Sequence, residues 1–146
     1  FTPDFEVYRN SEFGFAVSHP RAWIAQEQSD GSTVISSQEL ATGTDIAQFA
    51  QTGMVVRTEV AENSARLPLK EWLQANVEPL GLTNDIDQGA LRGVRSVVDG
   101  ANGVQMMTGF FQGPLGKIYR IDCSFPAARQ WEYRPVANAI VYSFSF

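Results

Sequence analysis

Few residues in this chain could carry covalent or metal chemistry: 146 residues hold one histidine, His19, and one cysteine, Cys123. A Ser-His-Asp arrangement or a zinc centre would have to be built around His19 alone. Ser18 is its neighbour in sequence and, in an extended segment, points to the opposite face. A Cys123–His19 nucleophilic pair would need an exposed, activated thiol. Cys123 falls instead in the alternation Tyr119, Ile121, Cys123, Phe125, which reads as a row facing a core, where a thiol is inert. One cysteine also excludes an intramolecular disulfide and a cysteine-cluster metal site.

Two loop motifs fail at required positions. Gly113-Pro114-Leu115-Gly116-Lys117 has the end of a phosphate-binding loop, but its earlier glycine position is Phe111 and its hydroxyl position is Ile118. A hairpin turn is the better reading. Asp85-Ile86-Asp87-Gln88-Gly89 opens like a calcium loop, yet glycine stands at the third ligand position and Ser96 where the closing glutamate belongs.

The remaining polar chemistry lies in Arg120, Asp122 and Ser124, which alternate with the apolar row of the same segment, and in Arg57, Glu59, Asp87, Arg95 and Asp99 on other extended segments. On neighbouring strands these charges would form a cross-strand ladder, a structural role. The functional alternative is a polar cleft for an ion or small anion, with Arg57, Arg95, Arg120 and Asp122 as the binding set. No catalytic set, metal site or cofactor is assigned. A carboxylate pair such as Asp87 with Asp122 would be the exception if the fold joined them.

Composition narrows the partners. Sixteen acidic residues against eleven basic ones give a net charge of −5, which opposes the phosphate neutralisation behind most nucleic-acid affinity. Nucleic acids and anionic membrane surfaces are therefore excluded as expected partners. The 44% hydrophobic and 12% aromatic content supports a packed core, and the length fits a single domain over 1–146. No apolar run approaches the roughly 20 residues of a membrane span. The chain opens on Phe1 without methionine, and a secretion signal or lipid-anchored leader is a candidate for a preceding segment.

These residues must be positioned by short strands and two helices. Phe5–Val7 and Phe13–Val17 read as extended, followed by a Pro20-x-x-Trp23 corner that should bury the Trp23 ring at the sheet edge. Residues 23–28 and 33–37 flank a Ser29-Asp30-Gly31-Ser32 turn, and 38–52 is weakly helical or loop. Gly53–Val60 is a strong strand. Pro68 opens a helix running to Leu80, with Leu69, Trp72, Leu73, Val77 and Leu80 on one side and Gly81 as its stop. Four extended runs follow, at 85–91, 94–99, 104–112 and 117–125, separated by turns at Leu91-Arg92-Gly93, 99–103 and 113–116. Met106-Met107 and Phe110-Phe111 mark the third run as central, covered on both faces. A second helix is predicted over about 129–141, with Pro135 at a first-turn position or kink, and a closing strand over 142–146. Strands, helix, four strands, helix give an α+β layer architecture.

Several of these residues together resemble a known family. Tyr8-Arg9-Asn10, Gly14-Phe15, Pro20-x-x-Trp23, Leu69-Lys70-Glu71-Trp72-Leu73, Gly116-Lys117-Ile118-Tyr119-Arg120-Ile121 and Ser143-Phe144 resemble the PsbP-like superfamily across nearly the whole chain. The resemblance implies an α/β/α sandwich around an antiparallel sheet, an exported protein and a non-catalytic accessory or binding role, most simply with a protein partner. No photosystem-docking segment is matched, so a photosynthetic role is not carried over. The alternative function is small-molecule or metal-ion binding on the polar sheet face or in an apolar pocket under a helix.

Overall fold

A computed structural model describes residues 4–29, 31–38, 40, 45–78, 80–88 and 91–146. The first two strands, β1 (Phe5–Asn10) and β2 (Phe15–Pro20), form an antiparallel hairpin of their own. Its turn is closed by Asn10 Oδ1 accepting from the Phe13 amide and by Gly14 at φ 76°, the left-handed region glycine adopts without a Cβ clash. The Pro20-x-x-Trp23 corner is a β-turn, the Trp23 amide donating to the Pro20 carbonyl at 2.9 Å. Its ring is half-buried against the core, short of the full burial the sequence predicts, because the strand it enters is at the sheet edge and covers only one side.

Seven further strands make one antiparallel sheet: β3 (Ile24–Glu27), β4 (Thr33–Ser36), β5 (Val55–Ala61), β6 (Leu82–Gln88), β7 (Leu91–Asp99), β8 (Val104–Gln112) and β9 (Ile118–Pro126). Their spatial order is β3-β4-β5-β9-β8-β7-β6. The most apolar segments, β8 and β9, lie at the centre, where both faces are covered, and the polar β6 and short β3 take the edges. Gly31, at φ 87°, closes the β3–β4 turn, with Asp30 outside the described residues.

One face of the sheet carries α3 (Gln130–Tyr142) and the β1–β2 hairpin. The other carries α2 (Leu69–Asn76) and the single-turn α1 (Ile46–Phe49). The result is an α+β fold with a central antiparallel sheet between two layers. On the α3 side Tyr133, Ala137, Ile140 and Val141 recur at helical spacing and pack on Ile121, Cys123 and Phe125. Gly109 makes room for that helix: a Cβ there would stand 2.8 Å from Val141 Cγ1. On the other side Leu73 meets Val94, Phe110 and Ile118.

Three boundaries differ from the sequence reading. Leu91-Arg92-Gly93, predicted as a turn, belongs to β7 and pairs with Gln88, Asp87 and Ile86, so the connection falls at 89–90, outside the described residues. Gly93 serves close approach here, since a Cβ would strike the Phe110 carbonyl and the Phe111 ring. The helix from Pro68 ends at Asn76: Val77 is extended at φ −120°, and the proline at position 79 disfavours helical backbone at the residue before it. The closing strand is reduced to one bridge, Ala16 with Ser145, because Tyr142 still belongs to α3. Two residues beyond, Phe144 turns inward and stacks on Phe111 at 4.3 Å and 8°.

Candidate functional site

Strand pairing places three of the four sequence-predicted binding residues together. On the face shared with α1 and α2, Arg57 of β5 stands opposite Asp122 of β9, and Glu59 opposite Arg120. Charge alternates around this square. Arg120 Nε donates to both Asp122 oxygens at 2.9 and 3.0 Å, and Thr108 Oγ1 donates to Asp122 Oδ1 at 2.7 Å. The Arg120 guanidinium also lies over the Phe110 ring at 5.3 Å. Arg57 keeps only a looser contact with Glu59, 3.6 Å apart with both side chains about half exposed, a geometry worth little in water. The register sets opposite charges across from one another, yet both ion pairs run along a single strand, Arg120 with Asp122 on β9 and Arg57 with Glu59 on β5, and the cross-strand side-chain bond to this group is Thr108 with Asp122.

Arg95 does not join them. β7 presents it on the opposite face, beside α3, where Nη1 donates to Asn138 Oδ1 at 2.5 Å and Nη2 to Asn84 Oδ1 at 2.9 Å. Asp87 pairs with Arg92 in register, and Asp99 accepts from Gln105 Nε2 at 2.9 Å. Asp87 and Asp122 share a face but lie three strands apart, about 14 Å or more at the usual strand spacing, so they form no carboxylate pair.

Beside the charge square, α1 and the turn at 100–102 wall a cavity of about 410 Å³ whose floor includes Met106, Val98, Val55 and Ser124. Arg57 and Asp122 line it as well. The turn is held by Asn102 in the left-handed region at φ 60°, which asparagine tolerates better than most residues. The cavity lies beside α1 and is lined mainly by apolar side chains, with Arg57 as its least committed charge.

The two reactive side chains are both buried. His19 Nδ1 lies 2.8 Å from the Pro20 carbonyl, so that nitrogen carries the hydrogen and donates, and Nε2 lies 3.8 Å from Glu6 Oε1 across the hairpin. Cys123 is fully buried on β9; burial, and secondarily the Asp122 charge, push its thiol well above the ordinary range. Among the described residues no group of three or more His, Cys, Asp and Glu could hold a metal ion.

The sequence reading passed over the outer face of α3. Trp131 is 85% exposed there, and at helical spacing Arg134, Pro135, Asn138 and Tyr142 continue the same stripe. Pro135 lacks the amide that would donate to the Trp131 carbonyl one turn earlier. The signal was available: a helix whose buried side is Tyr133, Ala137, Ile140 and Val141 must turn Trp131 to solvent.

Sheet order, the layers on both faces and the aromatic closure at Phe144 define a PsbP-like fold. The chain aligns over 99% of its length with 94% of the solution structure of cyanobacterial PsbP (CyanoP) from Synechocystis sp. PCC 6803, with a TM-score of 0.64 and 13% sequence identity. No protein-family model and no curated protein matches the sequence. Among the described residues no helix is long and apolar enough to cross a membrane.

Proposed function

We propose that this chain is a non-catalytic accessory domain that acts by binding a protein partner in an extracytoplasmic compartment. The observation that carries the reading is Trp131, a large aromatic side chain 85% exposed on a regular helix. Tryptophan, tyrosine and arginine are the side chains that dominate protein interfaces, and Trp131 shares its side of α3 with Arg134 and Tyr142. The groups that would argue for turnover are committed elsewhere: His19 and Cys123 are buried, and Asp122 is held by Arg120 and Thr108. The resemblance to exported PsbP-like proteins supports the compartment in this reading. Affinity capture from an envelope extract, with wild type beside Trp131→Ala, tests the reading. A specific protein retained by wild type and lost by an equally stable variant is the expected result. Equal capture by both, or substrate turnover by the isolated domain, overturns it.

A second reading is favoured by the cavity beside Arg57. At about 410 Å³ it matches the size of small-molecule sites, and its apolar floor carries Ser124 and Arg57 as orienting groups. A thermal-shift screen of small organic anions, repeated on Met106→Trp to fill the floor, distinguishes this reading. Stabilisation that the filled variant loses supports it, and no stabilisation by any compound removes it.

A further inference from the structure

We propose that the shoulder between α3 and the β6–β7 hairpin receives an acidic, amphipathic segment of the partner protein, with Arg95 and Arg134 anchoring its carboxylates. This rests on the protein-binding reading and adds the chemistry of what is bound.

Acidic residues outnumber basic ones by sixteen to eleven, and Arg21, Arg120 and Arg129 pair with Asp4, Asp122 and Glu132, while Arg9, Arg66 and Arg92, which have no ion pair among the described residues, are exposed to water. Arg95 and Arg134 are both half-buried and neither has a carboxylate within ion-pair distance among the described residues. They are held by neutral amides. Asn84 and Asn138 accept from the two terminal nitrogens of Arg95, while its Nε is buried with no hydrogen-bond partner among the described residues. Gln105 Oε1 accepts from Arg134 Nε at 2.7 Å. Amide carbonyls fix the orientation of a guanidinium and leave its charge in place, and a partly desolvated charge is costly until a counter-charge meets it.

The apolar half of the surface adjoins these cations. Trp131, Arg134, Pro135, Asn138 and Tyr142 fall at steps of three and four and so share one side of α3. Asn138 ties that side to Arg95. Across the shoulder, Leu82 is 79% exposed, two residues from Asn84 on the same face of the edge strand β6. A segment laid along the shoulder would cover Leu82 and the aromatic rings and bring carboxylates to both guanidiniums. A basic segment would be repelled by the same groups.

The test is selection from a randomised 12-residue peptide display library on the folded chain, followed by affinity measurement on Arg95→Met, Arg134→Met and Trp131→Ala. Methionine keeps the side-chain volume and removes a half-buried charge, so the arginine variants should fold. Enriched peptides combining Asp or Glu with aromatic or aliphatic residues, and binding at least about tenfold weaker on Arg95→Met, are the expected result. Enriched peptides without acidic residues, or acidic ones that bind Arg95→Met equally, overturn the proposal; if they still depend on Trp131, the protein-binding reading survives it. No enrichment, or only peptides indifferent to all three variants, counts against both. Co-sedimentation with phosphatidylglycerol vesicles that Arg95→Met abolishes would assign the cations to lipid and also overturn the proposal.

Discussion

Arg120 reaches along its own strand to Asp122, placing Nε 2.9 and 3.0 Å from the two carboxylate oxygens while its guanidinium covers the Phe110 ring. The carboxylate is only 14% exposed and also accepts from Thr108. Asp122 is therefore a structural fastener between β8 and β9. Asp122→Ala strands a half-buried cation and a buried hydroxyl, and should cost roughly 1–3 kcal/mol. Urea denaturation measures it, and an unchanged midpoint would return Asp122 to the pool of uncommitted site residues.

Cys123 gives the account a pH dependence. Its folded thiol is held well above the ordinary range by burial first and Asp122 second, while the unfolded thiol ionises near about pH 8.5. Above that value the unfolded chain loses a proton the folded chain keeps, so stability falls as pH rises, by up to about 1.4 kcal/mol per unit. Below it the term is fully present. Urea titrations at about pH 7 and about pH 10 should show a smaller loss for Cys123→Ala than for wild type. Parallel losses would mean that the thiol is not shielded. The same burial predicts slow reaction with DTNB in the folded state and rapid reaction in urea.

Trp23 closes the corner after β2 and packs half-buried on the core. A fully buried aromatic truncated to alanine costs about 3–5 kcal/mol, so the half-covered ring should cost about half as much in Trp23→Ala. Thermal unfolding reads the difference. A loss as large as that of Phe144→Ala, which removes a ring stacked on both Phe111 and Phe15, would show that the corner is buried after all.

Much of this was legible in the sequence because strand alternation and aromatic placement are local signals. Tyr119, Ile121, Cys123 and Phe125 do face the core, and Arg120 and Asp122 do occupy the other side of the same strand. What local pattern could not give was which strands become neighbours. β5 joins β9 across more than fifty intervening residues, and that pairing alone brings Arg57 and Glu59 to Asp122 and Arg120. Arg95 looked equivalent by residue type, yet strand parity in β7 sends it to the opposite face. Gly93 read as a turn because glycine marks turns, whereas its use here is contact with Phe110 and Phe111. Trp131 is not legible from the helix range alone; its exposure follows once Tyr133, Ala137, Ile140 and Val141 are known to form the buried side of α3.

On the proposed reading, the α3 face meets a protein. The most direct measurement replaces Trp131 with a photoreactive phenylalanine analogue in the organism that makes the chain, with Lys70, on the opposite layer, as the control position. A discrete crosslinked protein from position 131 that is absent from position 70 and diminished by Arg95→Met is the expected result. Crosslinking from position 70 with none from position 131 would contradict it.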